Sequence, residues 1–157
     1  MRQVFTARSF KRLGLVGATL AAVIQFLPGG TRSNPPSIVE PPWDSPRTRA
    51  LAERACFDCH SNETRWPAYG RLAPASWLIQ HDVNEGRAEL NLSEWQWPQH
   101  EATNAAAAVR EREMPPLAYR VMHSRARLTE EERDALARGL MKTLAAGAPR
   151  QPGEGRP

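Results

Sequence analysis

Acidic residues are missing from the first part of this 157-residue chain: no Asp or Glu precedes Glu40. Cysteine is scarce, with two in all, and β-branched residues are outnumbered by Leu and Ala. No internal repeat is visible, and no nucleophile stands beside a general base in a pattern that marks a hydrolytic site. Each shortage excludes something. Four of the 21 basic residues (Arg2, Arg8, Lys11, Arg12) lie within the first 12 positions, and the remaining 17 face 17 acidic ones, so the formal charge of +4 is a property of one end. The rest has no net basic face, and a nucleic-acid partner loses its electrostatic basis. The shortage of β-branched residues argues for helices and against sheets.

That basic end precedes an apolar run from Leu13 to Leu27, about 22 Å long as a helix against a hydrocarbon core of ~30 Å. The run is short for a membrane span and long for the core of an export signal. Phe10 extends it, with Lys11 and Arg12 reaching to the interface. Leu27-Pro28-Gly29-Gly30 makes a poor cleavage site, so residues 1–27 are expected to stay as a transmembrane anchor, with a removed signal as the alternative. Either role exports the remainder of the chain, with the positive end kept inside. Residues 28–44 form a proline-rich spacer, and residues 28–46 hold six of the 14 prolines. The folded domain is expected over residues 45–146. A flexible tail rich in Gly, Pro and Ala is expected over 147–157.

Within the domain the reading is all-α. Ser45 and Pro46 open one helix, which is expected to run into Cys56-Phe57-Asp58-Cys59-His60. Pro74 to about Glu89 makes a second, with Trp77, Leu78 and Val83 among its apolar positions. About Glu101 to Arg112 makes a third. Thr129 and Glu132 form a capping box for the last, whose apolar face is Leu136, Leu140, Met141 and Leu144. About 100 residues is a size at which a core alone is marginal, and a large buried cofactor would supply apolar surface.

The two cysteines stand in Cys56-Phe57-Asp58-Cys59-His60, a C-x-x-C-H pentapeptide. Positions i, i+3 and i+4 share one helical face, so both thiols can add to one porphyrin edge. The histidine then meets the iron from the same side. This is the pattern of covalent c-type haem attachment, with Cys56 and Cys59 as thioether ligands and His60 as the proximal iron ligand. Such attachment belongs outside the cytoplasm, in agreement with the N-terminal segment. In that oxidising space two free thiols at this spacing could otherwise close a small disulfide. A zinc site is disfavoured, because two cysteines and one adjacent histidine rarely complete a tetrahedron.

The second axial ligand decides the chemistry. Met114, in Glu113-Met114-Pro115-Pro116, sits on a loop stiffened by two prolines and is the expected distal ligand, with His123 as the alternative. His81 and His100 are more remote candidates. Met114 would otherwise be a flexible core filler, and His123 a surface histidine. Trp66, Trp77 and Arg65 are candidate haem-pocket residues, the indoles through packing or an N–H to a propionate. Trp43, Trp95, Trp97, Arg71 and Arg87 are weaker ones. The Nδ1–H of His60 needs a carbonyl to fix its tautomer, and residues 66–74 are a possible source. Asn62-Glu63-Thr64 and Asn91-Leu92-Ser93 match glycosylation acceptors, which we read as accidental.

These stretches resemble a family, the bacterial haem-binding domain proteins with a cytochrome c-like fold. The resemblance is carried by Cys56 through Pro67 (CFDCHSNETRWP), Ala73-Pro74-Ala75-Ser76-Trp77-Leu78, Gly86-Arg87, Leu90 through Trp95, Glu113-Met114-Pro115-Pro116 and Ala126-Arg127-Leu128-Thr129. The lead Ile24-Gln25-Phe26-Leu27-Pro28 and Asn34-Pro35-Pro36 also match its anchor and spacer. Leu92 stands where a phenylalanine is common. The resemblance implies one covalent haem c, an exported domain and a histidine near position 123. The function expected is a monohaem cytochrome tethered to the bacterial inner membrane on its periplasmic side. It would pass single electrons between redox partner proteins. A haem peroxidase or a haem or gas sensor, each with an open distal position, is the alternative.

Overall fold

The computed structural model describes residues 7–27, 29, 30, 32–36 and 39–147, and every regular element among them is helical. The helices are α1 (Ala7–Val23), α2 (Pro46–Ala55), α3 (Phe57–His60), α4 (Ala75–Glu89), α5 (Ala105–Arg110), α6 (Leu117–Met122) and α7 (Glu130–Ala146). Short 3-10 turns occupy Ile24–Phe26, Ala68–Arg71 and Ser124–Ala126. The one extended pairing among the described residues is an isolated parallel bridge between Val39 and Glu94. The protein is an all-α small bundle, as its composition predicts. The expected tail from residue 148 lies outside the described residues.

The chain divides into two units. One comprises the described residues up to Arg32 with Pro67–Gln80, and the other Ser33–Trp66 with the described residues from His81 onward. In the first, the Gln25 amide bonds both backbone groups of Ala73, donating to its carbonyl at 3.1 Å and accepting from its N–H at 2.9 Å. The transmembrane helix expected within residues 1–27 is not supported, because no helix among the described residues is long and apolar enough to cross a membrane. The reason is in α1 itself. Its 17 residues include Arg8, Lys11 and Arg12, and the uncharged stretch from Leu13 to its end spans only about 16 Å at 1.5 Å per residue, half a hydrocarbon core.

The second unit is built on α2, α5 and α7. Ser45 caps α2, its hydroxyl accepting from the Thr48 N–H at 3.2 Å, and Pro46 occupies the first turn. Thr129 and Glu132 close the anticipated capping box on α7. From α7, Leu136, Ala137 and Leu140 meet Leu51, Ala52, Ala106 and Val109 in one core, which Phe57, Leu90, Leu92 and Trp95 extend. Leu144 packs against it, but Met141 points outward, because the buried stripe runs through Leu136, Leu140 and Leu144 at i, i+4 spacing. The α2–α7 crossing is close: a Cβ on Gly139 would lie 2.1 Å from Thr48 Oγ1. Arg54 braces the same pair through Glu132 at 2.6 Å.

Two elements differ from expectation. The helix begun at Pro46 does not run continuously into the C-x-x-C-H. Cys56, at φ −121° and ψ −38°, ends α2 and starts α3. The third helix is shorter than expected, and α6 follows it after Pro115 and Pro116.

Candidate haem-binding site

The pentapeptide is wound around one carbonyl. Cys56 C=O accepts from the Cys59 N–H at 3.1 Å and from the His60 N–H at 2.8 Å, while the Cys56 N–H donates back to Ala52 C=O at 2.7 Å. This turn places residues 56, 59 and 60 on the face the spacing anticipates. Both thiols are half-buried and unpaired. Burial pushes the Cys56 thiol up to about 12, with the neighbouring Cys59 adding to the effect. Burial likewise pushes Cys59 up to about 11, helped by the charges of Asp82 and Asp58 and opposed by Arg87. Both remain thiols at neutral pH.

His60 is fixed by α4. Its Nδ1 lies 2.9 Å from Gly86 C=O and 3.0 Å from Leu90 C=O. Carbonyls only accept, so Nδ1 carries the proton and Nε2 keeps its lone pair. Burial holds the imidazole below its ordinary pKa, against the opposing pull of the two carbonyls. The neutral, metal-binding form is thereby favoured. The carbonyls come from the end of α4 and not from residues 66–74. The approach depends on a missing side chain, since a Cβ on Gly86 would sit 2.5 Å from Cys59 O.

A buried polar lattice holds the chain that leaves the motif. Leu92 N–H donates to His60 C=O at 2.7 Å. Asn62 N–H donates to Ser93 Oγ at 3.0 Å, and the Asn91 amide donates to Asn62 Oδ1 at 3.0 Å. Ser61 Oγ donates to Phe57 C=O at 2.8 Å. The two glycosylation-like triplets therefore contribute buried asparagines to this lattice. Arg87 completes it: Nε donates to Ser61 C=O at 2.8 Å, and the guanidinium also reaches Ser33 C=O, Asn34 Oδ1 and Thr64 Oγ1.

The other candidates are placed as follows. Arg65 turns to Asp58, with Nε and its backbone N–H both 3.1 Å from Oδ1, and donates to Glu53 C=O at 3.0 Å. Trp66 donates its indole N–H to Asn34 Oδ1 at 3.1 Å. Trp77 lies in the other unit, and its buried indole N–H has no hydrogen-bond partner among the described residues. Met114 lies between α5 and α6, 38% exposed, its N–H donating to Ala108 C=O at 3.1 Å. His123 stacks on Tyr119, with centroids 4.1 Å apart and planes at 20°, and donates from Nδ1 to Tyr119 C=O at 3.1 Å. His81 and His100 are exposed.

Two residues at the site had no sequence signal. Asp58, between the cysteines, accepts a short hydrogen bond from the Tyr119 hydroxyl and ties α6 to the motif. Burial, followed by that bond, drives the Tyr119 hydroxyl well above its ordinary pKa. Only their place beside the C-x-x-C-H and in α6 could have drawn notice.

The donor set fits a haem. Two unpaired thiols and a lone-pair-bearing Nε2 share one turn, and the tautomer is locked by backbone. Among the described residues, no three His, Cys, Asp or Glu side chains are grouped to hold a bare metal ion. The haem-binding domain family matches residues 19–142, most of the chain. The chain belongs to that family. It is a haem-binding protein. No curated protein and no solved structure matches it.

Proposed function

We propose that this haem-binding protein is a monohaem c-type cytochrome that carries single electrons between redox proteins on the periplasmic side of the bacterial inner membrane. Cys56 and Cys59 would hold the porphyrin as thioethers, and His60 Nε2 and Met114 would hold its iron. The bound haem supplies one-electron iron chemistry, with a thioether ligand raising its potential. The chain supplies the rest. Gly86 and Leu90 carbonyls keep the His60 proton on Nδ1 and make Nε2 a stronger donor. Gly86 lets α4 lie close against Cys59, and Arg87 and the asparagine lattice keep the turn from swinging. The exposed position of Met114 on a proline-stiffened loop suits a ligand that orders onto iron. The cationic lead and apolar run of residues 1–27 support export, as a leader or a surface tether.

The observation that carries this reading is the His60 Nδ1–H shared between two carbonyls beside a pair of free thiols. The test is the visible spectrum of the ferric and ferrous protein with and without carbon monoxide, joined to an intact mass. A low-spin spectrum indifferent to carbon monoxide and a mass increased by one porphyrin are expected. A high-spin iron that takes up carbon monoxide would replace the electron carrier with a peroxidase or sensor. A mass of bare polypeptide from exported material would end the covalent assignment.

A further inference from the structure

The loop that carries Met114 is held at its near end by the dry core. It leaves α5 after Arg110, where the buried Arg133 of α7 donates from Nη1 to Val109 C=O at 3.3 Å. Arg112 turns the chain at φ 65° and pairs with Glu130 of α7 at 3.0 Å. The Met114 N–H donates back to Ala108 C=O at 3.1 Å. Pro115 and Pro116 follow, each with a fixed φ and no N–H, and Pro115 is buried. All of these partners lie on α5 and α7.

The far end is held by the C-x-x-C-H itself. Five residues after Met114, the Tyr119 hydroxyl donates to Oδ2 of Asp58, which stands between the two cysteines. The other oxygen of that carboxylate is engaged as well, since Oδ1 accepts from Nε and the backbone N–H of Arg65, each at 3.1 Å. Arg65 also donates to Glu53 C=O on α2 at 3.0 Å, so Asp58 is itself braced. Within α6 the Arg120 N–H bonds Pro116 C=O at 3.0 Å, and Arg127 donates to the Arg120 and Val121 carbonyls at 2.8 and 3.0 Å. A restraint on Tyr119 is thereby passed along one short helix to the prolines beside Met114. Beyond α6, Arg54 donates to Arg125 C=O at 3.0 Å, a tie to α2 and not to the motif.

We propose that Tyr119 is a positioning residue for the distal ligand, setting the Met114 loop against the haem-binding turn through its bond to Asp58. The proposal rests on the reading of Met114 as that ligand. Under that reading Cys56, Cys59 and His60 set where the porphyrin lies, and Asp58 belongs to the same turn. Tyr119 therefore registers the loop on the frame that holds the porphyrin, whereas Arg133 and Glu130 register it only on α7. An added ligand can take the sixth position only while the loop is open, so its apparent affinity follows the open fraction. One hydrogen bond to a carboxylate is large enough to change that fraction about tenfold.

The experiment titrates the full-length, haem-loaded ferric protein with imidazole and follows the loss of the iron–methionine charge-transfer band. Tyr119→Phe keeps the ring and its stack on His123 and removes only the hydroxyl. This variant is expected to bind imidazole about tenfold more tightly than the wild type. Hydrogen exchange over residues 111–122 should quicken in it, while α7 exchanges as before. Asp58→Asn turns one of the two acceptors into a donor and should move the titration in the same direction. Met114→Ala should bind imidazole more tightly still, and adding Tyr119→Phe to it should change nothing further, because the hydroxyl acts through the methionine. A hydroxyl that serves general packing would shift both backgrounds alike, and that result overturns the proposal. If Met114→Ala tightens imidazole binding but Tyr119→Phe binds as the wild type does, the positioning role alone is removed. If Met114→Ala leaves both the band and the titration unchanged, the ligand reading falls and takes the proposal with it.

Discussion

The α2–α5–α7 side and the C-x-x-C-H side of the larger unit are held together by different physics. The first is dry: Leu136, Ala137 and Leu140 meet Leu51, Ala52 and Val109, and its stability follows apolar area. The second is a lattice of directed bonds, in which Asn62, Asn91, Ser93 and Arg87 fix the chain around His60. Dry packing tolerates a smaller side chain at a graded cost. A satisfied polar lattice gives one geometry or none, because each lost partner strands another group. The protein therefore has one region that keeps it folded and another that keeps a ligand oriented.

The largest separation of the two should come from Cys56→Ser with Cys59→Ser. Covalent haem staining on a denaturing gel should vanish while helical circular dichroism from α2, α5 and α7 persists. Collapse of the helical signal would show that the dry side depends on the cofactor. Met114→Ala should next convert the iron to high spin with little change in unfolding midpoint. If His123→Ala makes that conversion instead, the distal ligand is His123. Leu136→Ala acts on the other side: a fully buried leucine lost to alanine should lower stability by about 2–5 kcal/mol and leave the spectrum unchanged. Gly86→Ala sits where the regions meet. Its methyl would press on Cys59 O at 2.5 Å, so a loss of about 1–3 kcal/mol and a perturbed Soret band are expected together. An effect on only one of the two would break the link between them.

The smallest effect is acid sensitivity. Arg54 holds the Glu132 carboxyl below its ordinary value of 4.5, with the Thr129 N–H adding to the effect. Arg49 does the same for Glu40 against the opposing effect of burial, with Trp43 assisting. A depressed folded pKa means the unfolded chain takes up protons first as pH falls. The stability these groups contribute is complete above 4.5 and drains away as pH drops through their folded values. A urea midpoint measured from pH 7 downward should stay level and then fall, and Glu132→Gln should shallow that fall. A midpoint as steep in the variant would place the acid response elsewhere.

Much of this was readable in the sequence because it is local. Ser45-Pro46 and Thr129–Glu132 carry their caps within one turn, and the C-x-x-C-H states its own geometry. Helix α6 was not, since two prolines precede it and its apolar residues face outward, which hides its period. The expected membrane span takes the apolar run to Leu27 as one helix, whereas α1 ends at Val23 and leaves too short an uncharged stretch. The partners of the His60 proton were sought after the motif and lie at Gly86 and Leu90. Every residue has a carbonyl, so only the packing of α4 on Cys59 selects those two. Trp66 and Arg65 drew notice as side chains near the motif, yet Asn34 and Asp58 are what they bind.

Arg87 has a practical consequence. One guanidinium gathers Ser33, Asn34, Ser61 and Thr64, which stitches the proline-rich stretch to the turn beyond the histidine. Trimming the gene at the apparent domain edge near residue 45 would cut that stitch, whereas a start at or before Arg32 would preserve it. Expression boundaries for this protein are thus set by a knot of hydrogen bonds upstream of the first capped helix.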